Sequence, residues 1–445
     1  MTLDDVRRVM PFQKNRRYLR DRTVETLGLL YAMHWPYYQS STARGARRSA
    51  LHDRLAAAGA CFGEVAGWER PNWFADAGQK AEYEYSYGRQ NWFGNTQREC
   101  LAVRDAVGLF DQCCFAKFLV QGPDACQLLN WVSTANVDVA PGRMVYTQWL
   151  NDRGGIEADL TITRLAADEY WVVTSAACQT RDLAWLKAHI AARGARCTVT
   201  DITSGVAMLG VMGPKSRELL QRLSGADLGN GAHPFSTSRE IEIGYATVRA
   251  SRISYVGELG WELYFPTEHT LDVYERLLEA GTPLGLKHAG YHAMGACRVE
   301  KGYRHWGHDI ADEDDPFQGG LAFTIAWDKA GGFLGREALL AIKARGRTTR
   351  RLVQVMLDDH SASAPLMFHE EPIVRDGAIV GSIKSGAWGF RLDRSLGMCY
   401  VACEAGVDAA WLAAGRWEVE IACERYPAKV QLAPWYDPKN ERMKA

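Results

Sequence analysis

Three stretches of this chain place carboxylates where chemistry can use them. The first, YTQWLNDRGGIEADLTITRL, begins at Tyr146. A hairpin turn from Asn151 to Gly155 leads into a strand in which Asp159 stands among Ile156, Leu160 and Ile162. An acid in an apolar strand is costly to bury unless something compensates it. Alternation alone puts Asp159 on a polar face toward solvent; the other reading is a working carboxylate. The second stretch, SRISYVGELGWELYFP, sets Tyr255 and Glu258 on either side of Gly257, on or beside a turn between strands. Glu258 is either an exposed turn residue or a carboxylate in a cleft, accepting two parallel hydrogen bonds from an amidine-like edge. The third, GACRVEKGYRHWGHDI, puts Arg298 and Glu300 at a helix end, ahead of an aromatic loop with Tyr303 and Trp306. The plain reading there is a surface ion pair.

Other chemistries find less support. No GxGxxG lies between a strand and a helix. GVMGPKS (Gly210 to Ser216) is a glycine-bearing turn at a helix start, but its spacing fits neither a P-loop nor a Rossmann turn. We read it as structural and expect no flavin, NAD or ATP site on this chain. His288 and His292 are four apart, and HWGHD adds His305, His308 and Asp309. Without HExxH or a well-spaced cysteine, these read as hydrogen-bonding histidines, and no metal is expected. GxSxG is absent, and no cysteine sits in a catalytic signature.

The elements that must position these groups follow from length and pattern. The chain has 445 residues, which suggests about three domains at the usual domain size. Hydrophobic residues make up 47% and charged residues 24%, as in globular proteins. The balance of 52 Lys+Arg against 53 Asp+Glu argues against a nucleic-acid partner, which requires a cationic surplus. With 15 Trp, 18 Tyr and 14 Phe, disorder is excluded. The longest early apolar run, LGLLYAM, is too short to span a bilayer. The first residues show no signal region, so the expectation is a cytoplasmic protein with no membrane segment. Eleven cysteines without a CxxC pair suit buried, reduced thiols.

The first 86 residues are rich in arginine and aromatics and carry few strand signals. A helix is expected from Asp21 to Leu30, broken at His34 to Pro36, and a second one capped by Ser49 and ended by Gly59. From Tyr87 onward, strand-like stretches (AKFLVQG, ADLTITRL, EYWVVTS) alternate with helical ones, which predicts an α+β fold. After the helix ALLAIKARG the tail is nearly all strands, with RDGA as a hairpin turn, and predicts a small β-barrel. The expected division is 1–86 as a connecting segment, 87–345 as two α+β subdomains, and 346–445 as the barrel.

Taken in order, the three carboxylate stretches resemble the aminomethyltransferase (glycine-cleavage T-protein) family. The family pattern is a GG-[IV]-x-x-D strand, a Y-x-GE-x-G-x-E turn and an R-x-E-x-G-x-x-x-x-G-x-D segment. Here these read GGIEAD, YVGELGWE and RVEKGYRHWGHD. GLFDQCCFAKFLVQGPDA is similar to the family's opening hairpin, and SIKSGAWGFRLDRSLGMCYV to its closing barrel. The first 86 residues resemble the segment joining the flavin and folate halves of the dimethylglycine and sarcosine dehydrogenases, with the flavin half absent. The resemblance implies a multi-domain cloverleaf around a central folate cavity, with a C-terminal β-barrel.

It also implies tetrahydrofolate as cofactor and Asp159 as the catalytic carboxylate, beside the folate's bridging nitrogen. Glu258 would accept the pterin N–H edge with Tyr255 beside it, and Arg298 would brace the site. Ser175 stands where the family has a pterin-contacting Asn. Tyr146 and Trp327 complete the cofactor-binding set, Trp327 lining the central cavity. Ala158 stands where the T-protein has the first of two adjacent acids. Met294 replaces an arginine, which speaks against docking a lipoylated carrier and for the dehydrogenase-linked branch. The implied activity is capture of a methyl-derived carbon from a small N-methyl compound, at the imine or formaldehyde level, as methylene-tetrahydrofolate. A flavoprotein oxidoreductase subunit is the implied partner. The alternatives are direct transfer from an O-, S- or N-methyl donor, or a non-catalytic folate-binding or scaffold subunit.

Overall fold

The computed structural model describes residues 10–361 and 363–445. Part of the stretch read for a leader, residues 1–9, lies outside the described residues. Helix α1 (Arg16–Gly28) starts five residues before the expected Asp21, because the Asn15 side chain accepts from the Arg17 and Tyr18 N–H groups. Helix α2 (His52–Ala57) does end at Gly59, whose φ is +89°. Ser49 is not its cap: the hydroxyl donates instead to Asp111 Oδ2 at 2.6 Å. The expectation of few strands before Tyr87 is corrected by a hairpin of β1 (Ala60–Val65) and β2 (Trp68–Phe74). Its Trp73 is fully buried against Trp92, so packing of large aromatics decides the local structure.

Next come α3 (Phe93–Asp105), β3 (Val107–Asp111), β4 (Ala116–Gln121) and α4 (Ala125–Val132). They are followed by β5 (Met144–Leu150), β6 (Ile156–Ala166), β7 (Glu169–Thr174), α5 (Gln179–Arg193), β8 (Thr198–Asp201) and β9 (Val206–Met212). Then follow α6 (Ser216–Leu223), β10 (Ser238–Ile243), β11 (Ala246–Ser251), β12 (Gly260–Pro266), α7 (Thr270–Gly281), β13 (Leu286–His288) and α8 (Tyr291–Glu300). These strands form two sheets, one of five strands in the order β5-β6-β7-β4-β8 and one of six in the order β10-β11-β12-β9-β3-β13.

After α9 (Arg336–Ala344) the chain enters a closed six-stranded barrel: β14 (Arg350–Leu357), β15 (Pro372–Arg375), β16 (Ala378–Gly389), β17 (Arg394–Ala402), β18 (Trp417–Ile421) and β19 (Glu424–Gln431). Helix α10 (Ala409–Ala414) packs on it. The RDGA turn joins β15 to β16, with positive φ at Asp376 (50°) and Gly377 (87°), as a two-residue hairpin requires. The fold is therefore α+β with a terminal barrel.

Each sheet keeps its own apolar core on one face. Ala158, Leu160 and Ile162 of β6 pack under α4 and α5, while Trp261, Leu263 and Phe265 of β12 pack under α6 and α7. The opposite faces meet in a seam, where Val173 of β7 packs with Met208 and Tyr264 of the other sheet. Among the described residues, no helix is long and apolar enough to cross a membrane.

Candidate active site

The side chains of β6 alternate, so Asp159 points away from Ala158 and Leu160 and into the seam. Alternation placed it off the core correctly. That face is not open to solvent, however, because a second sheet covers it. In β5, Gln148 pairs with Asp159 and Tyr146 with Thr161, a register set by an irregularity between Trp149 and Leu150. Gln148 Nε2 donates to Asp159 Oδ1 at 2.7 Å. The Thr324 hydroxyl in turn donates to Gln148 Oε1 at 2.5 Å, which fixes the amide with its nitrogen toward the acid. Burial pushes the Asp159 carboxyl up to about 6, against the opposing effects of Gln148, Tyr146 and the more distant Arg304. The Tyr146 phenol is driven up by burial and by Asp159 beside it. Both residues keep some accessible surface although desolvation dominates their ionisation. They therefore line a recess.

Tyr255 shares these surroundings: its hydroxyl donates to the Arg304 carbonyl at 2.6 Å, and its ring stacks on Tyr303 at 5.9 Å. Asp159, Arg298 and Arg304 all act on it electrostatically. Arg298 is buried and paired with Asp309 Oδ2, and it donates to Ser385 Oγ at 2.9 Å and to the Tyr303 carbonyl at 3.1 Å. It pins the aromatic loop to the barrel. The surface ion pair read for this helix end is corrected, because Arg298 and Glu300 are both buried and each has a separate internal partner. Ser175 directly follows β7 and, with Cys178, opens the short turn into α5.

Two expected site residues lie elsewhere. Glu258 is 1% exposed and has no free edge. It accepts from Arg104 Nη1 at 3.2 Å, from the Tyr436 hydroxyl, and from Arg442 Nε at 3.1 and 2.8 Å. It ties α3 to the C-terminal tail, and the shared cleft expected for Asp159 and Glu258 does not form. Trp327 packs between Phe317 and Phe333 and lines an outer cavity of about 590 Å³ with Trp131, Lys329 and the glycine-rich loop before α9. Stacking there, and not on the seam, satisfies its ring.

Sequence reasoning passed over Glu262, four residues after Glu258. On β12 it alternates out of the apolar face of Trp261 and Leu263 and so looks into the seam. It pairs in register with Gly210 and Ser251. The Tyr264 hydroxyl donates to Oε2 at 2.6 Å, and Oε1 has no donor among the described residues. Burial pushes this carboxyl up to about 7, opposed by Tyr264 and by Lys117 across the seam. Lys117 stands opposite Val173 on β4 and donates to the Cys113 and Phe115 carbonyls at 3.0 and 2.8 Å. The W-E-L-Y-F alternation was the signal that could have found Glu262. Two of the four histidines are occupied, His288 by the Tyr274 hydroxyl at 2.9 Å and His292 by stacking on Trp92, while His305 and His308 lie against each other at 4.5 Å. Among the described residues no group of His, Cys, Asp and Glu converges as metal ligands do.

Asp159 and Glu262 thus stand as two carboxylates raised by burial, one on each of the sheet faces that meet in the seam. Residues 51–329 match the GCVT N-terminal domain, residues 350–437 the glycine cleavage T-protein C-terminal barrel domain, and residues 2–49 the FAD dependent oxidoreductase central domain. The chain belongs to the glycine cleavage T-protein family. It is 47% identical over 440 residues to 4-methylaminobutanoate oxidase (formaldehyde-forming) of Paenarthrobacter nicotinovorans, which covers 99% of this chain and 52% of that protein. It is 31% identical to the aminomethyltransferase of Symbiobacterium thermophilum, over 88% of this chain and 97% of that one. The fold is similar to the crystal structure of glycine cleavage system aminomethyltransferase T from Bartonella henselae, with a TM-score of 0.74, 23% identity, and 88% and 99% of the two chains covered. The chain spans about half the length of the oxidase and dehydrogenase relatives it matches.

Proposed function

We propose that this chain is a tetrahydrofolate-dependent one-carbon transferase. It would take the carbon of an oxidised N-methyl group, at the imine or formaldehyde level, and yield methylene-tetrahydrofolate. The observation that carries this reading is Asp159, a recessed carboxylate oriented by Gln148 and Tyr146. The seam fits a reduced pterin, since Glu262 offers an oxygen that can accept from an N–H edge. Tyr146, Tyr255 and Ser175 would flank the cofactor, and Arg298 would brace the loop around it. Tetrahydrofolate supplies the nucleophilic nitrogens that receive the carbon.

The chain's own contribution is electrostatic and protonic. Above pH 6 the Asp159 carboxylate holds a negative charge in a place with little water, where it favours a developing iminium cation and can take a proton from a nitrogen. The Tyr146 hydroxyl and the Gln148 amide keep that carboxylate in one orientation. Covering of the recess by the second sheet limits loss of a reactive carbon to water.

The oxidised methyl group must be made elsewhere, and a flavoprotein oxidoreductase is the proposed source. The match of residues 2–49 to a flavin-oxidoreductase central domain and the half-length coverage of oxidase relatives support this. The substrate proposed is a small methylated amine, of the kind the Paenarthrobacter protein is named for. Eleven free cysteines favour a reducing, cytoplasmic setting. The test supplies the chain with isotopically labelled formaldehyde and tetrahydrofolate and follows the product by mass. The reading requires methylene-tetrahydrofolate to form faster than without protein, and equal rates would refute it.

A further inference from the structure

Two arginines near the recess have charge to spare. Arg304, on the aromatic loop, donates Nε to the Gly319 carbonyl at 2.9 Å and Nη1 to the Gly302 carbonyl at 2.7 Å. Its Nη2 has no acceptor and the guanidinium no carboxylate partner among the described residues. It lies within electrostatic reach of Asp159, Tyr146 and Tyr255. Arg351, the second residue of the barrel strand β14, has a buried Nε without a partner, and its guanidinium makes no hydrogen bond or ion pair among the described residues. The next residue, Leu352, donates its N–H to the Gln318 carbonyl. Both arginines thus flank the loop of residues 318–320. Burial and the charge of Arg304 both depress the pKa of Arg351.

Two buried arginines close to this region are paired with acids, Arg104 with Glu258 and Glu300 and Arg298 with Asp309, whereas Arg252 is satisfied by main-chain oxygens. Two like charges left near each other, half-buried and without an acid, form an arrangement that an entering anion stabilises. We propose that Arg304 and Arg351 form a binding site for a ligand carboxylate beside the Asp159 recess. Guanidinium pairs present planar N–H edges that match a carboxylate. The proposal rests on the reading of that recess as the reaction site. Two ligands of that reaction carry such a group, the glutamyl end of folate and the carboxyl of an N-methyl amino acid.

The test uses the full chain with Arg351→Met and Arg304→Met, titrated by calorimetry. The probes are tetrahydrofolate, a tetrahydropterin lacking the glutamyl tail, N-methylglycine, and dimethylamine as its carboxylate-free counterpart. Each variant should weaken one carboxylate probe by about ten- to a hundredfold and leave its carboxylate-free counterpart unchanged. Loss confined to tetrahydrofolate assigns the site to the folate tail, and loss confined to N-methylglycine assigns it to the substrate. Unchanged affinity for both carboxylate probes overturns the proposal, as does a wild-type chain that binds neither. A chain that binds N-methylglycine through these arginines but no folate would uphold this site and refute the proposed function. The thermal midpoint of Arg351→Met should be equal to or above that of the wild type, because a repulsion is removed. A merely structural arginine would lower it.

Discussion

Replacing Asp159 by asparagine separates the cost of the recess from its use. The carboxyl stands at about 6 against an ordinary 3.8, a difference of about two units. At about 1.4 kcal/mol per unit, the ionised side chain costs the folded state up to about 3 kcal/mol. The sign follows from the raised value: the penalty accumulates as pH rises from 3.8 to about 6 and is complete above that. The amide introduced by Asp159→Asn keeps an oxygen for the Gln148 side chain and carries no charge. The variant should therefore unfold at a higher denaturant concentration than the wild type at about pH 8, and the gap should close by about pH 4. Turnover should fall by about two to four orders of magnitude, the usual contribution of a positioned acid–base group. Tetrahydrofolate affinity should change little. Denaturant titrations at both pH values, calorimetry and labelled-formaldehyde turnover provide the readouts. A D159N chain that turns over at the wild-type rate, or that is less stable than the wild type at the higher pH, refutes the reasoning.

Removing the Tyr146 hydroxyl with Tyr146→Phe takes away a hydrogen bond that holds the Asp159 carboxyl down. The acid limb of kcat/KM, expected near pH 6 and rising with pH, should therefore move upward in a pH–rate profile. Glu262→Gln should weaken tetrahydrofolate by about tenfold or more in calorimetry while stability holds or rises, since it removes a buried charge but keeps a partner for Tyr264. Glu258→Gln should do the reverse. It strips Arg104 and Arg442 of a shared carboxylate and should cost about 3 kcal/mol or more in denaturant titration. If the two glutamates behave alike, their assignment is wrong.

The sequence made some levels of this structure legible and hid others. Alternation in β6 and the Asn151 to Gly155 turn were readable, because side-chain parity and turn chemistry are local. Which strand face meets solvent is decided by the second sheet, a contact between β7 and β9–β12 that no local pattern carries. That is why the solvent reading of Asp159 failed. The pairing of Gln148 with Asp159 depends on the irregularity at Trp149 and Leu150, where simple counting back from the turn gives Ala158. Glu258 and Glu262 share one motif and, four residues apart, the same parity; what distinguishes them is that only Glu262 lies within β12. Glu258 precedes the strand, so its side chain was free to reach Arg104 and a tail about 180 residues away in sequence. The barrel was plain from its run of strands, whereas the β1–β2 hairpin was masked by tryptophan and arginine that gain their stability only from long-range packing.

The central claim is that a reduced pterin binds in the seam between the two sheets, with Asp159 and Glu262 facing it. The most direct measurement is a crystal structure of the chain soaked with a stable reduced folate such as 5-formyl-tetrahydrofolate. Ring density in the seam within hydrogen-bond distance of both carboxylates is the predicted result. Density only in the outer cavity at Trp327, or a seam filled by side chains with the ligand bound nowhere, would contradict it.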